Sequence, residues 1–194
     1  MLEVYLRPIY QSLLVDPIAR MFSNYSPMMI TYIACLSGIM IAPALMYGHP
    51  TLAIALLLFS GFLDTLDGTV ARANNKVSEQ GVIFDIVSDR IVEVAVILGL
   101  FAVDPEGRGW LAMAMLASSY VCVTSFLVVG VFNRARKETS VGIMERAEAF
   151  VFFLLMISFP NHFSTLAWLF IGFVMFTGYA QLARFLQTTS DAPQ

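Results

Sequence analysis

The chain has 194 residues, of which 58% are hydrophobic and only 13% charged, with a formal net charge of −3 and a mean hydropathy of +0.76. Soluble domains carry roughly 25% charged residues, and a single soluble core of this length does not bury so much apolar surface. An all-α, polytopic membrane protein fits this composition; intrinsic disorder, a disulfide scaffold and nucleic-acid binding do not, since a net-negative chain exerts no pull on DNA or RNA.

In chain order, residues 1–25 are too polar and too broken by Pro8 and Pro17 to cross a bilayer. Leu2, Leu6, Ile9, Tyr10, Leu13, Leu14, Ile18 and Phe22 recur at helical spacing opposite Glu3, Arg7, Gln11 and Asp16, which suits an amphipathic helix lying in the membrane interface or packed on another subunit. The opening residues lack the basic stretch, short apolar core and cleavage site of a signal peptide, so the first apolar span is expected to be retained. Six transmembrane helices follow over residues 26–187: Ser26–Tyr47, Pro50–Ala73, Gln80–Val103, Gly109–Phe132, Met144–Phe159 and Phe163–Leu186. Gly48-His49-Pro50, Asp104–Arg108 and Pro160-Asn161-His162 are expected as brief connections, and residues 188–194 as a flexible cytosolic tail. Cys35 and Cys122 fall inside apolar spans and read as small buried hydrophobes.

Orientation follows from where Lys and Arg fall. Setting aside Arg90, which lies within the third span, Arg7, Arg20, Arg72, Lys76, Arg134, Arg136, Lys137, Arg146 and Arg184 share one side and only Arg108 is on the other. This places both termini in the cytosol, together with the loops after the second and fourth spans, as for an inner or plasma membrane protein.

The second and third spans carry Asp64, Asp67, Asp85, Asp89 and Glu93. Each charge at such a depth costs roughly 2.5–3.5 kcal/mol on insertion scales, so five unneutralised carboxylates would exceed the typical net stability of about 5–15 kcal/mol. Asp64 and Asp67 are spaced i, i+3 and Asp85 and Asp89 i, i+4, so each pair shares a helix face. At about 1.5 Å rise per residue, both pairs lie roughly 12–15 Å in from the cytosolic ends of their helices. The short loop between makes these helices antiparallel neighbours, and four converging carboxylates form a site for hard divalent cations, Mg²⁺ or Mn²⁺, with room for two ions. Arg72 and Arg90 offer a competing neutralisation, although two arginines do not balance five acids. An intramembrane metal-ion or proton-coupled transporter would also place acids at depth.

In order, the stretch reads Asp64-x2-Asp67-Gly68-x2-Ala71-Arg72-x8-Gly81-x3-Asp85-x3-Asp89. Its eight fixed positions match the signature of the CDP-alcohol phosphotransferases, and the chain is similar to that family over nearly its whole length. The resemblance implies a membrane transferase that passes the phosphatidyl group of a CDP-linked lipid, such as CDP-diacylglycerol, to an alcohol hydroxyl with release of CMP. It implies that Asp64, Asp67 and Asp85 ligate the metals, that Asp89 completes the metal site and acts as general base, and that Gly68, Ala71, Arg72 and Gly81 line the nucleotide site with Asp64 and Asp67. It also implies a homodimer. Ser26-Pro27-Met28-Met29-Ile30-Thr31 is similar to the family's S/T-P-N-x-x-T, with Met28 in place of Asn, and leaves Thr31 as a nucleotide contact. Ser78 and Lys76 lie in the loop beside that site.

The chemistry of the residues agrees with these roles. Divalent ions clamp the non-bridging oxygens of a diphosphate and stabilise a departing phosphate. Small residues keep a helix face low for a flat nucleotide, though Gly68 and Gly81 equally suit close helix packing. An arginine one turn on reaches a phosphate bidentately. Arg134, Arg136, Lys137, Arg146 and Arg184 provide positive charge for an acceptor carrying its own phosphate, although Arg134 and Lys137 also read as anchors to anionic membrane lipids. The segment Gly142–Glu148, containing Arg146, resembles those of members using inositol phosphate. The expected acceptor is therefore a phosphorylated polyol, inositol phosphate or glycerol 3-phosphate. A transporter gives no reason for the spacing of Gly68, Ala71, Arg72 and Gly81.

Overall fold

A computed structural model describes residues 15–22, 25–74, 78–132, 144 and 146–190, and among them every regular element is helical. The expectations for residues 1–14, Lys76, Arg134, Arg136, Lys137, Glu145 and residues 191–194 lie outside the described residues. The helices are α1 (Asp16–Met21), α2 (Pro27–Ile39), α3 (Ile41–Met46), α4 (Pro50–Ala73), α5 (Glu79–Val103), α6 (Pro105–Phe132), α7 (Arg146–Ser158) and α8 (Phe163–Ser190), with a 3₁₀ turn at Pro160–His162. Backbone contacts divide the chain into two compact units, residues 1–106 and 107–194.

Among the described residues, four stretches are long and apolar enough to cross a membrane: Pro27–Met46, Pro50–Ala73, Pro105–Val131 and Pro160–Gln187. Helix α5 has the length, 25 residues, but its Asp85, Asp89, Arg90 and Glu93 lower its apolarity. Helix α7 has 13 residues, about 20 Å at the usual helical rise, against a hydrocarbon core about 30 Å thick.

The first span departs from the uninterrupted helix expected of it. It breaks at Met40 into α2 and α3, and Pro43 supplies the reason: its ring collides with the carbonyl four residues back, at Ile39, and it offers no N–H. The ladder is otherwise carried across the break, with Met40 N donating to Leu36 O and Ala44 N to Met40 O, each at 3.1 Å. Helix α3 ends at Gly48, whose φ of +75° is the left-handed conformation that glycine adopts without strain. Gly48 N donates to Leu45 O at 3.0 Å and His49 N to Ala44 O at 2.8 Å, the paired bonds of a Schellman ending. Pro50 then opens α4 at a position where no N–H is needed.

In the first unit α2 packs against both α4 and α5, while those two helices make little close backbone contact with each other. Their backbones are held apart by α2, and they approach each other through side chains, Asp64 and Asp67 on α4 and Asp85 on α5. Ser60 Oγ on α4 donates to Ala34 O on α2 at 2.8 Å, and Thr31 reaches Asp67, so α2 and α4 run antiparallel. Along α5 the contacts climb in step with α2: Tyr32 stacks on Phe84 at 4.4 Å between centroids, a side chain at Gly38 would strike Val92, and one at Gly99 would strike Ala42 and Leu45. Helices α2 and α5 therefore run parallel. Val15 and Ala19 of the N-terminal segment join Ile30, Ala34, Leu63, Leu66 and Val70 in one buried cluster. The packed edge of α1 is thus Val15 and Ala19, with Ile18 alongside, whereas Phe22 from the expected apolar face is exposed and stacks on Tyr25.

In the second unit α6 starts four residues ahead of the expected span. Pro105 suits a first turn, and Glu106 complements the positive end of the helix. Arg108, expected in a loop, is buried; it donates to Pro160 O at 3.2 Å and lies over the Phe163 ring at 4.6 Å. Before α7, Met144 N donates to Thr177 Oγ1 on α8 at 3.0 Å, and Phe152 and Phe153 meet Phe170 through their rings. Helix α8 continues to Ser190, past the point where the tail was expected to start, since nothing between Leu186 and Ser190 breaks a helix and the next proline is Pro193.

Candidate active site

Helices α4 and α5 place Asp64, Asp67 and Asp85 together: one carboxylate oxygen from each lies within 4.8 Å of the others. Asp67 is buried at 6% exposure, and Asp64 and Asp85 are half-buried. Asp89, one turn beyond Asp85 and also half-buried, lies outside this set of three. Converging carboxylate oxygens are a hard, all-oxygen donor set. Ions of the size of Mg²⁺ or Mn²⁺ bind such oxygens at about 2.0–2.1 Å, so oxygens on opposite sides of one ion stand about 4 Å apart and a 4.8 Å cluster suits the ligands expected from the sequence. The residues present fit a divalent cation.

The layer that holds these acids is set by the packing of α2. Thr31 Oγ1 donates to Asp67 Oδ2 at 2.5 Å, a buried contact between residues 36 apart in sequence. Thr31, expected to face the nucleotide, is thus engaged with a carboxylate of the site. Ser88 is buried on α5 between Asp85 and Asp89, and its hydroxyl has no hydrogen-bond partner among the described residues.

Glu93 separates from the other acids. Arg90 pairs with it one turn along α5, which spends the arginine on Glu93. The i, i+3 spacing of Arg90 and Glu93 places the two on one helix face.

Gly68 and Arg72 belong to one local arrangement. The Arg72 guanidinium lies back along its own helix, 3.3 Å from Thr69 Oγ1, and a Cβ on Gly68 would come within 3.3 Å of it. Thr69 and Thr65 in turn donate to the carbonyls one turn earlier, Thr65 O and Gly61 O, at 2.9 and 3.1 Å. Ala71 lies half-buried on this same turn, and Arg72 is exposed. At the start of α5, Ser78 is the N-cap, its Oγ accepting from Gly81 N at 3.1 Å, and a side chain at Gly81 would crowd that oxygen. Ser78 and Gly81 are therefore coupled as a helix start. Arg146 and Arg184 are both exposed, at the start of α7 and in the last part of α8.

Comparison with known proteins agrees with the signature. Residues 24–191 match the family model of the CDP-alcohol phosphatidyltransferases. An archaetidylinositol phosphate synthase of Methanothermobacter thermautotrophicus is 32% identical over 157 residues, covering 76% of this chain and 73% of that protein. A phosphatidylinositol phosphate synthase of Mycobacteroides abscessus is 30% identical over 115 residues, 57% of this chain and 50% of the relative. The fold is that of the Mycobacterium tuberculosis phosphatidylinositol phosphate synthase crystallised with CDP-DAG, with a TM-score of 0.79 at 20% identity over 93% of this chain and 98% of the other. Eight signature positions, a carboxylate cluster at their centre and a family match over most of the length lead to one conclusion: this all-helical membrane protein belongs to the CDP-alcohol phosphatidyltransferase family and is a transferase of phospholipid biosynthesis.

Proposed function

We propose that the protein transfers the phosphatidyl group of a CDP-linked lipid, such as CDP-diacylglycerol, to a hydroxyl of a phosphorylated polyol, inositol phosphate ahead of glycerol 3-phosphate, and releases CMP. The convergence of Asp64, Asp67 and Asp85 within 4.8 Å carries this reading. The names of two relatives, an archaetidylinositol phosphate synthase and a phosphatidylinositol phosphate synthase, support the choice of acceptor.

Asp64, Asp67 and Asp85 would hold divalent cations, Mg²⁺ or Mn²⁺ and two in number, with Asp89 completing the set. When bound, such ions neutralise the diphosphate oxygens and stabilise the departing nucleotide. Asp89 takes the proton of the acceptor hydroxyl. The acceptor oxygen bonds to the phosphorus of the lipid phosphate, the bond from that phosphorus to the bridging diphosphate oxygen breaks, and CMP leaves with the electron pair. The nucleotide lies against Gly68 and Ala71, near Thr31, Ser78 and Gly81. Arg72 exchanges its 3.3 Å contact with Thr69 for a charge-assisted bond to phosphate. Arg134, Lys137, Arg146 and Arg184 are the contacts for the acceptor's own phosphate.

In this reading six helices span the membrane, α5 and α7 included. Both termini and the site face the cytosol, on the strength of the basic residues, and two copies associate. The test is transfer from radiolabelled CDP-diacylglycerol in mixed micelles with Mg²⁺ or Mn²⁺ and a panel of inositol phosphate, glycerol 3-phosphate, inositol and serine. A labelled inositol phospholipid with CMP, formed from inositol phosphate alone, is the expected result. A product from another alcohol overturns the acceptor; no transfer to any alcohol, with ion movement in vesicles, overturns the reaction.

A further inference from the structure

The first span contributes a polar group to the carboxylate cluster, and its chemistry goes beyond contact with a nucleotide. Thr31 has one hydroxyl proton and two acceptors within reach: Pro27 O, the carbonyl one turn back at 3.1 Å, and Asp67 Oδ2 at 2.5 Å. A helical threonine ordinarily bonds the carbonyl four residues earlier. Here the carboxylate oxygen lies nearer, and bonds to an ionised acceptor are shorter and stronger than neutral ones. We infer that Thr31 is a positioning residue for the metal site: its hydroxyl fixes the orientation of the Asp67 carboxylate, and through it the affinity of the site for divalent cations. This inference rests on the metal-dependent reading above.

The scaffold around the contact is built to hold it in register. Ile30 and Ala34, flanking Thr31 on α2, share a buried cluster with Leu63, Leu66 and Val70, which surround Asp67 on α4. Val15 and Ala19 complete that cluster, and Ser60 ties α4 to Ala34 O one turn further along. Both partners are 6% exposed, so water does not compete for the bond. A β-branched residue also holds its hydroxyl on a restricted χ1. A carboxylate has about four lone-pair sites, so an oxygen bonded to Thr31 leaves acceptor capacity for an ion. Groups that orient metal ligands in this way change metal affinity or activity about 10–100-fold when removed.

The experiment measures Mn²⁺ binding to the detergent-purified full chain, without lipid substrate, by electron paramagnetic resonance of free Mn²⁺. Thr31→Val preserves shape and removes the hydroxyl; Thr31→Ser keeps it. Thr31→Val is expected to weaken Mn²⁺ binding about 10–100-fold, Thr31→Ser to recover most of the loss, and Thr31→Val to add nothing further in an Asp67→Asn background. In transfer assays the Thr31→Val defect should shrink as Mn²⁺ is raised. Unchanged Mn²⁺ binding in Thr31→Val, with a raised KM for the CDP-lipid, would make Thr31 a nucleotide contact and overturn the inference. So would a Thr31→Ser variant as impaired as Thr31→Val. If Thr31→Val fails to fold, the serine variant and its Mn²⁺ titration decide alone, recovery of wild-type-like binding supporting the role and a full loss refuting it. Wild-type protein that binds no Mn²⁺ would instead refute the metal reading itself.

Discussion

Substituting Asn for Asp67 removes charge from the cluster while keeping its shape and an acceptor oxygen for Thr31. Carboxylates with oxygens within 4.8 Å of one another repel pairwise wherever both are ionised; at an effective dielectric of about 20, such a pair amounts to at most about 3.5 kcal/mol. Asp67→Asn eliminates two of the three pairs. Asp64 and Asp85 are half-exposed to solvent, which screens most of that repulsion, so a gain near 1 kcal/mol is expected for the cation-free protein, about 2–4 °C in melting temperature for a chain of this size. Bound cation reverses the order: wild-type protein at 100 times the dissociation constant gains about 2.7 kcal/mol, and the variant loses most of it. Melting curves by circular dichroism in detergent, with EDTA and with Mg²⁺ or Mn²⁺, read both effects. Phosphatidyl transfer should fall about 10²–10³-fold, the scale of losing one electrostatic stabiliser of a transition state. An Asp67→Asn protein that melts lower than wild type in EDTA and rises equally with Mg²⁺ would refute the charge cluster as a cation site.

Asp89 lies outside the 4.8 Å set, so Asp89→Asn should abolish transfer while leaving much of the Mg²⁺-induced rise in melting temperature; loss of that rise would make it chiefly a ligand. Arg146→Ala should raise the KM for inositol phosphate about tenfold or more, the scale of one lost charge-assisted contact, with the KM for CDP-diacylglycerol unmoved in the same kinetic assay. At Gly99 an added Cβ would fall 2.9 Å from the Cα of Ala42, backbone that has no rotamer to yield. Gly99→Val should therefore cost about 1–3 kcal/mol, read as a lowered melting temperature.

The sequence carried the chemistry of the site better than its support. Hydropathy located the long apolar stretches, and the i, i+3 spacing of Asp64 and Asp67 placed both on one face because helical periodicity is local. The break at Met40 was less visible, although Pro43 marks it, because hydropathy averages over a window and does not feel a missing N–H. Arg108 counted as a loop cation until its partners, Pro160 O and the Phe163 ring, came from 52 and 55 residues away. Long-range partners of this kind leave no periodic trace. The bond from Thr31 to Asp67 is the instructive case: the likeness of Ser26–Thr31 to the family's S/T-P-N-x-x-T pointed to a nucleotide contact. Its nearest acceptor is a residue already singled out for the metal, on a helix whose contact with α2 no local pattern announces. A polar side chain facing such a site can serve it by gripping another residue of the protein, and only the packing of α2 against α4 distinguishes that role from contact with substrate.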